Sequence, residues 1–127
     1  MPPVSAISQS GLAAATLRLN VSASNLANID DTSPVGSAQG YQPGTVVQSA
    51  LPGGGVAAQA VTLSSAQLLA YDPTAAIAND QGLVQAPDID PISEITNQLA
   101  ASRAFAFNLD ALKAAEEDQQ SLLDIST

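Results

Sequence analysis

The feature that most constrains this chain is where its proline and glycine fall. Pro34, Pro43, Pro52, Pro73 and Pro87, and every glycine except Gly11, lie between Ser33 and Asp90. The flanks, from about Val4 to about Ile29 and from Pro91 onward, are almost free of both. Glycine loses the most backbone entropy in a helix, and proline removes a donor and clashes with the preceding turn, so long helices are confined to the flanks. The pattern predicts a mainly α chain with a small β or extended insert. Its parts are an N-terminal helical arm (1–32), an extended or hairpin-containing middle (33–90) and a C-terminal helical arm (91–127).

In the first arm Leu12, Leu19 and Leu26 recur every seven residues, with Ala15, Ser22 and Ile29 between them. This is an a/d seam of about two and a half heptads, which suits equally a helix covering its own core and one packing on another chain. Ala15 and Ser22 are small enough to let a second backbone approach closely. Asn25 and Asn28 weaken the helix, and Asp30 to Ser33 followed by Pro34 end it.

The second arm has a sharper start. Asp90 suits an N-cap, Pro91 the first helical position, and Glu94 places an acid in the first turn. From Ile92, the residues Ile95, Leu99, Ser102, Ala106, Leu109, Leu112, Leu122, Leu123 and Ile125 trace an apolar stripe interrupted by Glu116 to Gln120. Such a helix is about 50 Å long, more than a small globular domain needs. Two helices without a third cannot fully cover both stripes.

Within the middle, Thr45–Ser49 and Val56–Leu63 flank the turn formers Leu51-Pro52-Gly53-Gly54-Gly55, which predicts a hairpin. Tyr71, Asp72 and Pro73 suggest a turn, and Gly82, Pro87 and Asp88 extended or looped backbone.

Composition removes most chemistry. Arg18, Arg103 and Lys113 are the only cations against twelve acids, for a net charge of −9, which disfavours nucleic acid and anionic membrane. There is no Cys and no His, so thiol nucleophiles, disulfides and the usual zinc ligands are absent. Ser22 and Ser24 have no neighbouring base to activate them. Asp88 and Asp90 form a D-x-D pair, but Asp90 is better read as the helix cap, and Glu116, Glu117 and Asp118 as a solvated face. Neither an apolar run long enough to span a bilayer nor a basic start followed by an apolar stretch is found, so no membrane insertion and no cleavable signal are expected. No catalytic residue, metal site or cofactor is predicted.

Both arms carry motifs. Ser10-Gly11-Leu12, Ala14, Arg18, Val21, Ser24-Asn25-Leu26-Ala27-Asn28 and Thr32 resemble the pattern S-G-L-x-A-x-x-x-R-x-x-V-x-A-x-N-L-A-N-x-x-T of the bacterial flagellar axial proteins, the rod and hook subunits. Ala101-Ser102-Arg103-Ala104-Phe105, Asn108 and Leu112-Lys113 resemble that family's A-S-R-A-Y-x-x-N-x-x-x-L-K ending. Tyr71-Asp72-Pro73, Ala78, Gly82, Val84, Pro87 and Asp90 resemble a Y-E-P…A…G-Y-V…P-N-V-D segment of its short proximal-rod branch. Ser24, Phe105 and Leu83 depart from the common residues at their positions.

The resemblance implies a structural subunit of the flagellar basal-body rod, transmitting torque across the periplasm. It implies that the terminal helices pair as an antiparallel coiled coil and that copies pack helically into a tube. The implied assembly interface is Leu12, Leu19, Asn25, Leu26 and Asn28 on the first arm, and Ile95, Leu99, Arg103, Asn108, Leu109, Leu112, Leu122 and Leu123 on the second. The implied partners are copies of itself, other rod proteins, the flagellar type III export machinery and the base ring of the basal body. Another short rod subunit, or a free acidic helical adaptor, is the alternative.

Overall fold

The computed structural model describes residues 4–125; residues 1–3 and 126–127, the outer ends of the two predicted arms, lie outside the described residues. In chain order the elements are α1 (Val4–Ala27), β1 (Gly44–Ala50), β2 (Val56–Thr62), β3 (Gln67–Tyr71), β4 (Leu83–Pro87) and α2 (Pro91–Ile125). The strands form two separate antiparallel pairs, β1 with β2 and β3 with β4. The chain is mainly helical, as its proline and glycine distribution requires.

The two helices pack side by side more extensively than any other pair of elements. They run antiparallel: Gly11, early in α1, abuts Asn108 well along α2, whereas Ser22 donates to the carbonyl of Glu94 in the first turn of α2 at 2.9 Å. Buried apolar side chains among the described residues are few and mostly small: Ala14, Ala15, Val84 and Ala101, with Pro43 and Pro87. Such a core supplies little burial, so most of the large apolar side chains remain at the surface.

The predicted β1–β2 hairpin is present and lies along α1. Its register runs from Gly44 opposite Thr62 to Ala50 opposite Val56. At one end Gly44 sits against Val21; at the other Gly55 sits against Ser10, whose hydroxyl accepts the Val56 amide at 3.1 Å. The lengths match, because seven extended residues span about 23 Å and the fifteen helical steps from Ser10 to Asn25 about 22 Å. Gly54 and Gly55 adopt φ of 96° and 89° in the connecting turn, a region that side chains with a Cβ rarely enter. Ile7, Ser10, Ala14, Leu17 and Val21 therefore form a second stripe on α1, spaced alternately three and four, beneath the hairpin.

A second hairpin was not anticipated. Gln67–Tyr71 pairs with Leu83–Pro87, where only a turn and extended backbone were expected. Its connection is not one of the short turns that announce a hairpin. Instead Asn79 organises it: its side-chain oxygen accepts the amides of Gln81 and Leu83, both at 2.9 Å, while its own carbonyl accepts the Gly82 amide at 2.9 Å. Ser33 then exchanges backbone hydrogen bonds with Gln85 at 2.8 and 2.9 Å, drawing the chain after α1 alongside β4 and over the fully buried Val84.

The start of α2 agrees with its sequence. The Asp90 carboxylate accepts the amides of Ile92 and Ser93, both at 3.2 Å, and the Ser93 hydroxyl at 2.6 Å. The Ser93 hydroxyl first, and the Ile92 amide second, hold this carboxyl below its ordinary value of 3.8. A depressed folded pKa means that the cap stabilises the helix fully above pH 3.8 and loses that contribution as the pH falls through the lower folded value. We expect the protection of the Ser93 amide, corrected for intrinsic exchange, to fall on acidification through this window. Asp90→Asn, which keeps a neutral cap, should remove that dependence.

Candidate assembly surface

Asn25 sits where α1, α2 and the hairpin meet, and it is 1% exposed. Its amide nitrogen donates to the Gly44 carbonyl and to Glu94 Oε1, both at 2.9 Å. Its oxygen accepts the Gly44 amide and the Tyr41 hydroxyl, both at 2.9 Å; that hydroxyl also lies 3.1 Å from Ser24 Oγ. An asparagine amide offers two donor hydrogens and two acceptor lone pairs, and here all four are used. A poor helix former is therefore tolerated near the end of α1, because its side chain fastens three elements.

The seam between the helices is built from small and polar residues. On α1, Ser8, Ala15, Ser22 and Asn25 are buried, with Gly11 and Arg18 half-buried at the intervening places. On α2 the residues facing them are Glu94, Gln98, Ala101, Ala104, Asn108, Leu112 and Ala115, of which Ala101 is fully buried. A Cβ added to Gly11 would run into the Asn108 side chain, so the helices are closest where glycine permits it.

Of the expected a/d seam, the small members Ala15 and Ser22 lie at the centre of the helix pair and the leucines at its edge. Leu12, Leu19 and Leu26 share the seven-residue period of Ser8, Ala15 and Ser22 but lie four positions further on, and they are only half-buried at the edge of the seam. On α2 the first part of the apolar stripe faces away from α1: Ile92 is 75% exposed, Ile95 58% and Leu99 53%. The reason is steric. Closely approaching backbones require small side chains between them, which leaves the long ones outside.

The remaining predicted interface residues are distributed accordingly. Leu109 and Leu112 are half-buried, and Arg103, Leu122 and Leu123 are exposed. Asn108 donates to the Ala104 carbonyl within its own helix at 2.7 Å, and Asn28 likewise to the Ser24 carbonyl at 2.7 Å. The structure thus brings Asn25 and Asn108 into the inner seam and leaves Ile95 and Leu99 pointing outward. Tyr41, Gly44 and Glu94 were not anticipated as a junction. Their only signal is an asparagine in a helix on the same face as Ala15 and Ser22.

Both Asp90 oxygens are committed to the helix start, and no group of three or more His, Cys, Asp or Glu side chains among the described residues is placed to hold a metal ion. No described helix is long and apolar enough to cross a membrane.

Two family models match the chain at its two ends. That of the flagella basal body rod protein covers residues 6–33, and that of the flagellar basal body rod FlgEFG protein C-terminal segment covers residues 80–125. The flagellar basal-body rod protein FlgC of Salmonella typhimurium LT2 is 40% identical over 117 residues, spanning 87% of this chain and 86% of its own. The chain belongs to the FlgC family of flagellar basal-body rod proteins. FlgC of Escherichia coli O6:H1 is 39% identical over the same shares, and FlgC of Bacillus subtilis 168 is 29% identical over 94% of this chain and 93% of its own.

As a FlgC-family member the chain is a structural subunit of the flagellar basal-body rod, not an enzyme, and belongs with other rod proteins. The matched segments are the two partners of the seam: Gly11 meets Asn108, and Ser22 and Asn25 meet Glu94. Between them lies the stretch that supplies Tyr41, Gly44 and both hairpins other than β4.

Proposed function

We propose that this rod subunit assembles with copies of itself and other rod proteins into a helical tube, in which α1 and α2 act as an antiparallel coiled-coil arm and torque passes through helix packing. The observation that carries this reading is the outward stripe on α2. Ile92, Ile95 and Leu99 stand in line on the face away from α1, next to a seam that is already closed by small residues. Burying the exposed half of an Ile or Leu contributes about 1 kcal/mol, and a tube repeats that contact at every copy.

In this reading the outer surface for neighbours is Leu12, Leu19, Leu26, Asn28, Ile95, Leu99, Arg103, Leu109, Leu122 and Leu123, while Asn25, Asn108 and Leu112 hold the arm itself together. The 33–90 segment lies outside the tube formed by the 1–32 and 91–127 arms. The thin core suits a subunit that passes the flagellar type III export channel unfolded and orders on meeting the base ring and its neighbours in the periplasmic rod.

Ile95→Asp and Leu99→Asp test it. Both positions are exposed, so each variant should keep the wild-type helical signal in circular dichroism, yet be missing from purified basal bodies and leave cells non-motile. Normal motility with either variant as the only copy would overturn the reading.

A further inference from the structure

The β1–β2 ribbon has two open edges, and the hydrogen-bond pattern shows which groups they present. The Leu63 amide donates to the Pro43 carbonyl at 2.8 Å, and the Leu51 amide to the Gly55 carbonyl at 3.1 Å, in the same register as the strand pairs. Antiparallel ladders alternate, so Thr45, Val47 and Ser49 bond inward to β2, and Gly44, Val46, Gln48 and Ala50 turn their amides and carbonyls outward. Gly44 confirms the alternation, since both of its backbone groups are taken by the Asn25 side-chain amide. That amide stands where the peptide group of a third strand would stand. The next outward positions, Val46 and Gln48, border an open groove of about 220 Å³ whose other walls are Arg18 and Val21 of α1 and Glu94 and Asn97 of α2.

Within the ribbon itself this edge carries none of the usual protection, and the charges near it, Arg18 and Glu94, stand on the helices across the groove. Natural edge strands are guarded by charges, prolines or bulges. Here the seven pairs run without interruption, no proline lies within β1, and no charged residue occurs anywhere from Thr32 to Tyr71. We propose that the β1 edge takes an extended segment of a second copy of this chain as a third strand, seated in the groove between β1 and α2, with Asn25 holding the first rung. The charge-free 32–71 stretch is what a neighbouring copy offers: its extended parts can enter beside Val46 and Gln48 without bringing a charge of their own against Arg18 and Glu94. The proposal rests on the rod reading for the presence of that second copy.

The double variant Val46→Pro/Gln48→Pro is the test, because proline there removes two outward amides and leaves the β1–β2 ladder intact. Three arms are measured on chains expressed as the only copy in flagellated cells. In assembled wild-type rods the Val46 and Gln48 amides should exchange as slowly as those of Thr45 and Val47; an unpaired edge would instead exchange about 100-fold faster. The double variant should keep the Thr45 and Val47 amides protected but reduce the chain recovered in basal bodies about 10-fold. Because the chain has no native cysteine, Gln48→Cys with a short bifunctional reagent should give a dimer of this chain. Fast exchange at Val46 and Gln48 in rods, wild-type recovery of the double variant, or cross-linking only to a different protein overturns the proposal and leaves the rod reading standing. Absence of the wild-type chain from basal bodies overturns both.

Discussion

Asn25→Ala is expected to separate the hairpin from the helix pair and to abolish rod incorporation. The substitution removes four hydrogen bonds at a site that is 1% exposed. It strands the backbone of Gly44 and a Glu94 oxygen, and leaves the Tyr41 hydroxyl with Ser24 Oγ alone. Each buried group left without a partner costs about 1–3 kcal/mol. Water reaches part of this junction, because Gly44, Tyr41 and Glu94 are themselves only half-buried, so the sum is held to about 3–4 kcal/mol. The better helix propensity of alanine returns about 0.7 kcal/mol. The net loss of about 3 kcal/mol is read from the urea midpoint of the full chain followed by circular dichroism, and from motility. Asn25→Asp separates geometry from charge. It keeps the shape but loses both donor hydrogens and sets a second carboxylate against Glu94, so it should be as damaging as alanine. An Asn25→Ala chain that assembles normally would show that the junction is incidental.

Gly11→Leu should be nearly as severe, for a different reason. The Asn108 side chain already occupies the space in front of the Gly11 Cα, so a leucine must push the helices apart along a seam that depends on close approach. Overpacking of this kind typically costs about 1–3 kcal/mol, and a rigid interhelical contact places it at the upper end. Gly11→Ala is the instructive control. Its single methyl forces Asn108 aside and breaks the 2.7 Å bond to Ala104, a loss of about 1 kcal/mol that the gain in helix propensity, also about 1 kcal/mol, offsets. It should therefore be close to neutral. Gly11→Ala combined with Asn108→Ala removes the clash while keeping the propensity gain, and should exceed the sum of the two single changes by about 1 kcal/mol. Additivity in that cycle would mean that the two residues do not meet as described.

These variants differ in kind from Ile95→Asp and Leu99→Asp. The first pair attacks the subunit from inside, where small and amide residues lie; the second attacks only its contacts. A chain that loses assembly while keeping its helix separates the two surfaces in a way that neither residue type announces by itself. Asparagine in a helix reads as a weakness until Tyr41, Gly44 and Glu94 are brought to it from distant parts of the chain. Leucines at sevens and the small residues between them read as one seam, and only packing places Ala15 and Ser22 at its centre and the leucines at its edge.

The second hairpin shows another boundary of local reading. Its strands Gln67–Tyr71 and Leu83–Pro87 are short and joined by a long connection, and the Asn79 hydrogen bonds that close the connection exist only once the strands are aligned.

The amino-acid sequence by itself determined the division into two helical arms and an extended middle, because proline and glycine act on the backbone of their own neighbourhood. It determined the start of α2 at Asp90 and Pro91 for the same reason, and the family, through motifs carried on both arms. Only the tertiary structure decided which side of each helix faces its partner. A seven-residue repeat is shared by Ser8, Ala15 and Ser22 and by Leu12, Leu19 and Leu26, and periodicity carries no phase. The choice is made by how near two backbones and a hairpin can come, which only their packing together settles.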